Sequence, residues 1–92
     1  MWIADLTRGL DRRKAPITFD PHVFDRRDCR SLNLARIEET IRTGSIVERT
    51  CEEPDKLCFR RHFGKENVTY VVITRFHHKF IEVKTAWKRK GR

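Results

Sequence analysis

Apolar residues recur at spacings of three and four where Leu34, Ile37 and Ile41 follow one another. That period predicts a helix with one apolar face. Asn33 stands where a cap is needed, and Gly44 where a left-handed residue ends the helix. Upstream, Asp20-Pro21 reads as another helix start, because Asp caps free amides and Pro fits the first helical position. This first helix is expected to run to about Arg30, with Val23, Phe24 and Cys29 as a modest stripe. Residues 1–15 have weaker helical character, from Ile3, Leu6 and Leu10; Gly9 interrupts it and Pro16 ends it. Ile17-Thr18-Phe19 is an extended entry to the helix.

From Ser45 the period falls to two. Strands are predicted over 46–51, 57–63, 68–74 and 80–87, with turns at Glu53-Pro54-Asp55-Lys56, Gly64-Lys65-Glu66-Asn67 and His77-His78-Lys79. The stretch from Val68 to Thr74 is β-branched and apolar on both sides, as a central strand should be. In the last strand, alternation places Ile81, Val83, Thr85 and Trp87 on one face and Glu82, Lys84 and Ala86 on the other. Residues 88–92 read as a basic tail. The expected fold is α+β: two N-terminal helices packed on a four-stranded antiparallel β-meander. Residues 1–16 form an arm or short helix, and 17–92 a single domain.

Charge changes this picture by its position. The 92 residues carry 21 Lys+Arg against 13 Asp+Glu, a net +8. From Leu57 onward ten basic residues face only Glu66 and Glu82, so this segment alone matches the net charge of the chain. A basic excess of that size points to a polyanion, nucleic acid first. No apolar run reaches the roughly 18–20 residues of a membrane span. The N-terminus lacks the pattern of a secretion signal. Three cysteines, Cys29, Cys51 and Cys58, make no even framework, so a reducing cytoplasmic setting is expected. Cys51 and Cys58 are placed to face each other across a hairpin, as an oxidisable pair or as two small apolar strand residues. Neither a metal nor a cofactor is expected, since His22, His62, His77 and His78 form no Cys/His ligand spacing.

One motif stands apart. His22, Arg26 and Arg30 recur every four residues; Ser31-Leu32-Asn33, Ile37, Ile41, Gly44 and Glu48 follow. Over about residues 17–87 this pattern resembles a family of small domains with HxxxRxxxR on a first helix, a second helix ending in Gly, and a β-meander. That family looks like a divergent branch of the RelE/ParE and BrnT-type toxin superfamily. The resemblance implies a sheet whose helix-free face receives RNA. An exposed sheet edge and a basic face are also compatible with an acidic antitoxin-like protein or a second copy of the chain as partner. The motif itself has two readings, a phosphate site or a set of structural ion pairs.

Metal-free RNA cleavage needs a base for the ribose 2′-OH, an acid for the leaving oxygen, and cations for the phosphorane. His62 is the candidate for proton transfer. Arg60, Arg75, Lys84, Lys88 and Arg89 are the candidates for phosphate contact. Strand alternation puts Arg60 and His62 together, with Arg61 on the apolar side beside Leu57, Phe59 and Phe63. The chain departs from active toxins near its C-terminus, where Trp87 stands and no Tyr or His does. The expected function is therefore RNA binding, with RNA ahead of DNA, through the sheet face and the C-terminal tail. The alternatives are a metal-independent endoribonuclease and a non-catalytic interaction or dimerisation domain.

Overall fold

The computed structural model describes residues 2–25 and 32–92. Helix α1 spans Trp2–Gly9, and its spacing of Ile3, Leu6 and Leu10 buries Ile3 and packs the two leucines on the core. Asp11 then folds the chain back: its carboxylate accepts from the Arg13 amide at 2.9 Å and its carbonyl from Ala15 at 2.8 Å. Strand β1 is Ile17–Phe19. The Asp20-Pro21 start produces a 3-10 turn, Pro21–Asp25, in which the Asp20 carbonyl accepts from the Val23 amide. The remainder of the helix predicted over 20–30, with Arg26, Cys29 and Arg30, lies outside the described residues.

Helix α2, Leu34–Thr43, forms as the periodicity predicts, and the Asn33 side chain accepts from the Ala35 amide at 2.9 Å. Its buried positions are Ile37, Thr40 and Ile41, whereas Leu34 is 49% exposed. Gly44 ends it with φ −75°, which any residue can adopt, so the left-handed ending is not what requires glycine. The reason is proximity. A Cβ at this position would sit 2.4 Å from the Thr40 carbonyl oxygen and 2.8 Å from that of Arg60. Helix end and sheet touch backbone to backbone here.

Four more strands complete one sheet: β2 Ser45–Ile46, β3 Lys56–Phe63, β4 Val68–Phe76 and β5 Ile81–Lys90. Their order is β1-β5-β4-β3-β2. The neighbours are antiparallel except β1 and β5, which run parallel with Ile17 opposite Ile81 and Phe19 opposite Val83. The fold is α+β, but the sheet is five-stranded and mixed, which corrects the expected four-stranded antiparallel meander. The added strand is the entry segment at Ile17. Its three residues pair with a strand more than sixty positions further on, a non-local partner that no short-range pattern reveals.

Three local expectations also change. The strand expected over 46–51 stops after Ile46, and Glu48–Thr50 is a second 3-10 turn among the described residues, closed by Thr50 N–H to Val47 O and Cys51 N–H to Glu48 O. The expected tail is largely strand, because Lys88, Arg89 and Lys90 pair with Tyr70, Thr69 and Val68. And β5 carries a bulge: Ile73 is opposite Thr85 while Thr74 is opposite Val83, leaving Lys84 as the extra residue. Beyond the bulge the alternation reverses, so that Ala86 turns to the core and Trp87 away from it.

The core lies between the helices and one sheet face, with Ile37, Ile41, Leu57, Phe59, Val72, Ile81 and Val83 fully buried. Arginines frame it. Arg12 reaches the Gly44 carbonyl at 2.8 Å and lies over the Phe59 ring. Arg36 and Arg61 both lie over Phe63, and both bond Glu39. Arg36 also bonds Glu66 at 2.6 Å, which raises its already high pKa. Much of the positive charge near the core is therefore structural.

Candidate nucleic-acid interface

Residues opposite one another in a sheet share a face. The face turned away from the core thus reads in rows across β3, β4 and β5: His62, Thr69, Arg89; then Arg60, Val71, Trp87; then Cys58, Ile73, Thr85; then Lys56, Arg75, Glu82. Val71, Ile73 and Trp87 belong neither to the core cluster nor to the apolar residues packed on it. Arg60 and His62 share this face, and Arg61 lies opposite with Leu57 and Phe59, as alternation predicts.

The first two rows border a concavity of about 190 Å³, lined by Val47, Arg49, Thr50, Cys58, Arg60, Val71, Trp87 and Arg89. Its floor is apolar, its wall is the second 3-10 turn, and three guanidinium groups come to it from three elements. None of its lining residues is acidic. Among the described residues, the ion pairs use Arg36, Arg42, Lys56, Arg61, Arg75 and Lys84, and none uses Arg49, Arg60 or Arg89.

Of the phosphate-contact candidates, Arg60 and Arg89 meet in this concavity. Arg75 shares the face but sits at its far end, 3.6 Å from Asp55. Lys84 is engaged at the bulge, bonded to Asp20 and 3.9 Å from Glu82. Lys88 pairs with Tyr70 and so stands on the core side of β5. Asp20 is held well below the usual carboxylate range, first by the Lys84 ammonium, then by the His22 amide and ring. His22 thus lies in a contact with Asp20 at 2.9 Å, and its motif partners Arg26 and Arg30 fall outside the described residues.

His62 is held by a short relay. Its Nδ1 lies 3.1 Å from the Thr69 hydroxyl, which donates to the Gly91 carbonyl at 2.6 Å. A hydroxyl has one proton, so Thr69 must accept from His62, which fixes the proton on Nδ1 and leaves Nε2 as the second ring nitrogen. Gly91 makes the relay possible with φ +79°, a conformation that side chains disfavour, and its amide bonds Asn67 O at 2.7 Å.

Sequence reasoning missed Arg49, which reaches the concavity only because a 3-10 turn replaces the expected strand. It also grouped Trp87 on one face with Ile81 and Val83, which the structure buries; a single-residue bulge is invisible to alternation. Below the concavity, burial and the neighbouring Cys51 push the Cys58 thiol up to about 11, and the Cys51 sulfur accepts from the Cys58 amide at 3.3 Å.

Among the described residues no group of three or more His, Cys, Asp or Glu is placed to hold a metal ion, and no helix is long and apolar enough to cross a membrane. The chain matches no protein-family model, no curated protein and no solved structure.

Proposed function

We propose that the protein binds RNA through one end of the open sheet face, with Arg60 and Arg89 on phosphates and Trp87 between them. The observation that carries this reading is the set of three arginines without carboxylate partners around one indole. Arg36, Arg42, Arg61 and Arg75, by contrast, are engaged by Glu39, Glu66, Glu38 and Asp55. Guanidinium groups suit phosphate because they are planar, bidentate and weakly hydrated. The preference for RNA over DNA rests on the resemblance to RelE/ParE-type domains, and the test compares both.

The test is anisotropy of labelled RNA and DNA single strands of the same sequence at low salt, with the RNA expected to bind more tightly. Arg60→Ala with Arg89→Ala should weaken RNA binding at least tenfold. Arg8→Ala with Lys14→Ala removes the same charge from exposed positions elsewhere and should change it far less. Equal losses in the two double variants would reduce the reading to general charge, and wild-type affinity in the first would end it.

The His62 relay favours a second reading, metal-independent cleavage of the bound strand. An imidazole with Nδ1 occupied and Nε2 available is arranged for proton transfer. RNA incubated with the protein in chelator should then yield ends bearing 2′,3′-cyclic phosphate, lost on His62→Ala. Intact RNA under conditions of saturated binding would remove this reading and leave the first standing.

A further inference from the structure

We infer that the concavity is a subsite for one unpaired nucleotide, so that the protein binds free 5′-mononucleotides and favours single strands over duplex. The inference rests on the RNA-binding reading and goes beyond it, from a charged surface to a unit of recognition.

Size is the first argument. At about 190 Å³ the concavity falls below the roughly 300–1,000 Å³ that encloses a whole drug-sized ligand. It suits one planar ring system, with the remainder of the ligand outside. Lining is the second argument. Val47, Val71 and the buried Cys58 give an apolar floor, and Trp87 supplies an aromatic surface. The polar part of the lining is Arg49, Arg60, Arg89 and Thr50. A nucleotide has the matching division, a flat ring with a π-face and a phosphate one sugar away. Stacking on an aromatic side chain tolerates any base.

Duplex is excluded by the same geometry. In a duplex the ring faces are stacked on neighbouring pairs, so a base can meet Trp87 only by leaving the stack. The wall formed by Val47, Arg49 and Thr50 stands beside the sheet and makes a recess of what would be a flat surface. Phosphates of a duplex could still touch the rim arginines, but the floor would stay empty.

The measurement uses the emission of Trp87. The chain has two tryptophans, Trp2 and Trp87, and Trp2→Phe leaves Trp87 as the single reporter. Adenosine 5′-monophosphate should quench it saturably. Ribose 5-phosphate, with the same phosphate and no base, should not quench over the same range. Arg60→Ala with Arg89→Ala should move the midpoint for the mononucleotide upward. In the otherwise native chain, Trp87→Leu should weaken an RNA single strand roughly 5- to 150-fold, and Trp87→Phe should recover most of that loss.

If the single strand binds but the mononucleotide does not quench, and Trp87→Leu leaves strand affinity unchanged, the subsite is wrong while RNA binding stands. Equal affinity for duplex and single strand also overturns the subsite. If neither strand nor mononucleotide binds, the RNA reading itself fails.

Discussion

Gly44→Ala is the substitution whose cost the fold states most directly. The new methyl carbon would fall short of an ordinary contact of 3.4 Å by about 1.0 Å at the Thr40 carbonyl and about 0.6 Å at the Arg60 carbonyl. Both obstacles are backbone, so neither can rotate aside. Relief requires the end of α2 to lift from β3, which strains the Gly44 N–H to Thr40 O bond and the Arg12 bond to Gly44 O, each 2.8 Å. Overpacking of this kind costs about 1–3 kcal/mol. Alanine restrains the unfolded chain and returns about 0.4–1 kcal/mol. With two immovable contacts, the net loss should be about 2 kcal/mol, a fall in Tm of roughly 8–16 °C for a domain of this size. Thermal and urea unfolding by circular dichroism measure it. Gly64→Ala is the control: nothing lies within 4 Å of a Cβ there, so it should be neutral or slightly stabilising. A Gly44→Ala chain as stable as wild type would refute the backbone contact between helix end and sheet.

Three further outcomes follow from single groups. Lys84→Met removes the main cause of the low Asp20 pKa; because that carboxyl is lowered in the folded state, the pair stabilises above about pH 4 and the stabilisation is lost as pH falls toward the folded value. The variant should therefore be less stable than wild type near neutrality, with the gap narrowing in acid, and urea midpoints across the range would show a constant gap if the account is wrong. Cys58, 1% exposed with its thiol pushed up to about 11, should resist iodoacetamide in the native protein and react quickly in urea, as mass spectrometry of the labelled peptide would read. Tyr70→Phe keeps a ring set edge-on to Phe63 but strips the hydroxyl that accepts the Asn33 amide at 3.2 Å, so calorimetry should find about 1 kcal/mol lost, and no loss would mean the helix cap does without it.

How much of this was legible in the sequence depends on the range of the forces involved. Helix α2 and strand β3 were legible because each carries its own period, β4 because it is a β-branched run apolar on both sides, and the partition of Arg60 and His62 from Arg61 follows from alternation alone. Strand β1 was not, because its partner Ile81 lies far along the chain. Nor was the extension of β5: Lys88-Arg89-Lys90 looks like a solvated tail until β4 offers a ladder of carbonyls and amides to pair. The bulge at Lys84 then decides the site. Without it, Trp87 would face the core as alternation predicts; with it, Trp87 and Arg89 join Arg60. Lys84 shows the converse, a cation legible as a candidate but engaged by Asp20, a residue brought close by tertiary structure alone.

The central claim is that Arg60 and Arg89 neutralise phosphates from one face of the sheet. Counterion release makes this countable, since each contact to a single strand contributes about −0.7 to the slope of log Kobs against log salt. The decisive measurement is that slope for an RNA single strand with the wild-type chain and with Arg60→Ala/Arg89→Ala. The slope should be shallower by about 1.4 in the double variant. An unchanged slope would contradict it.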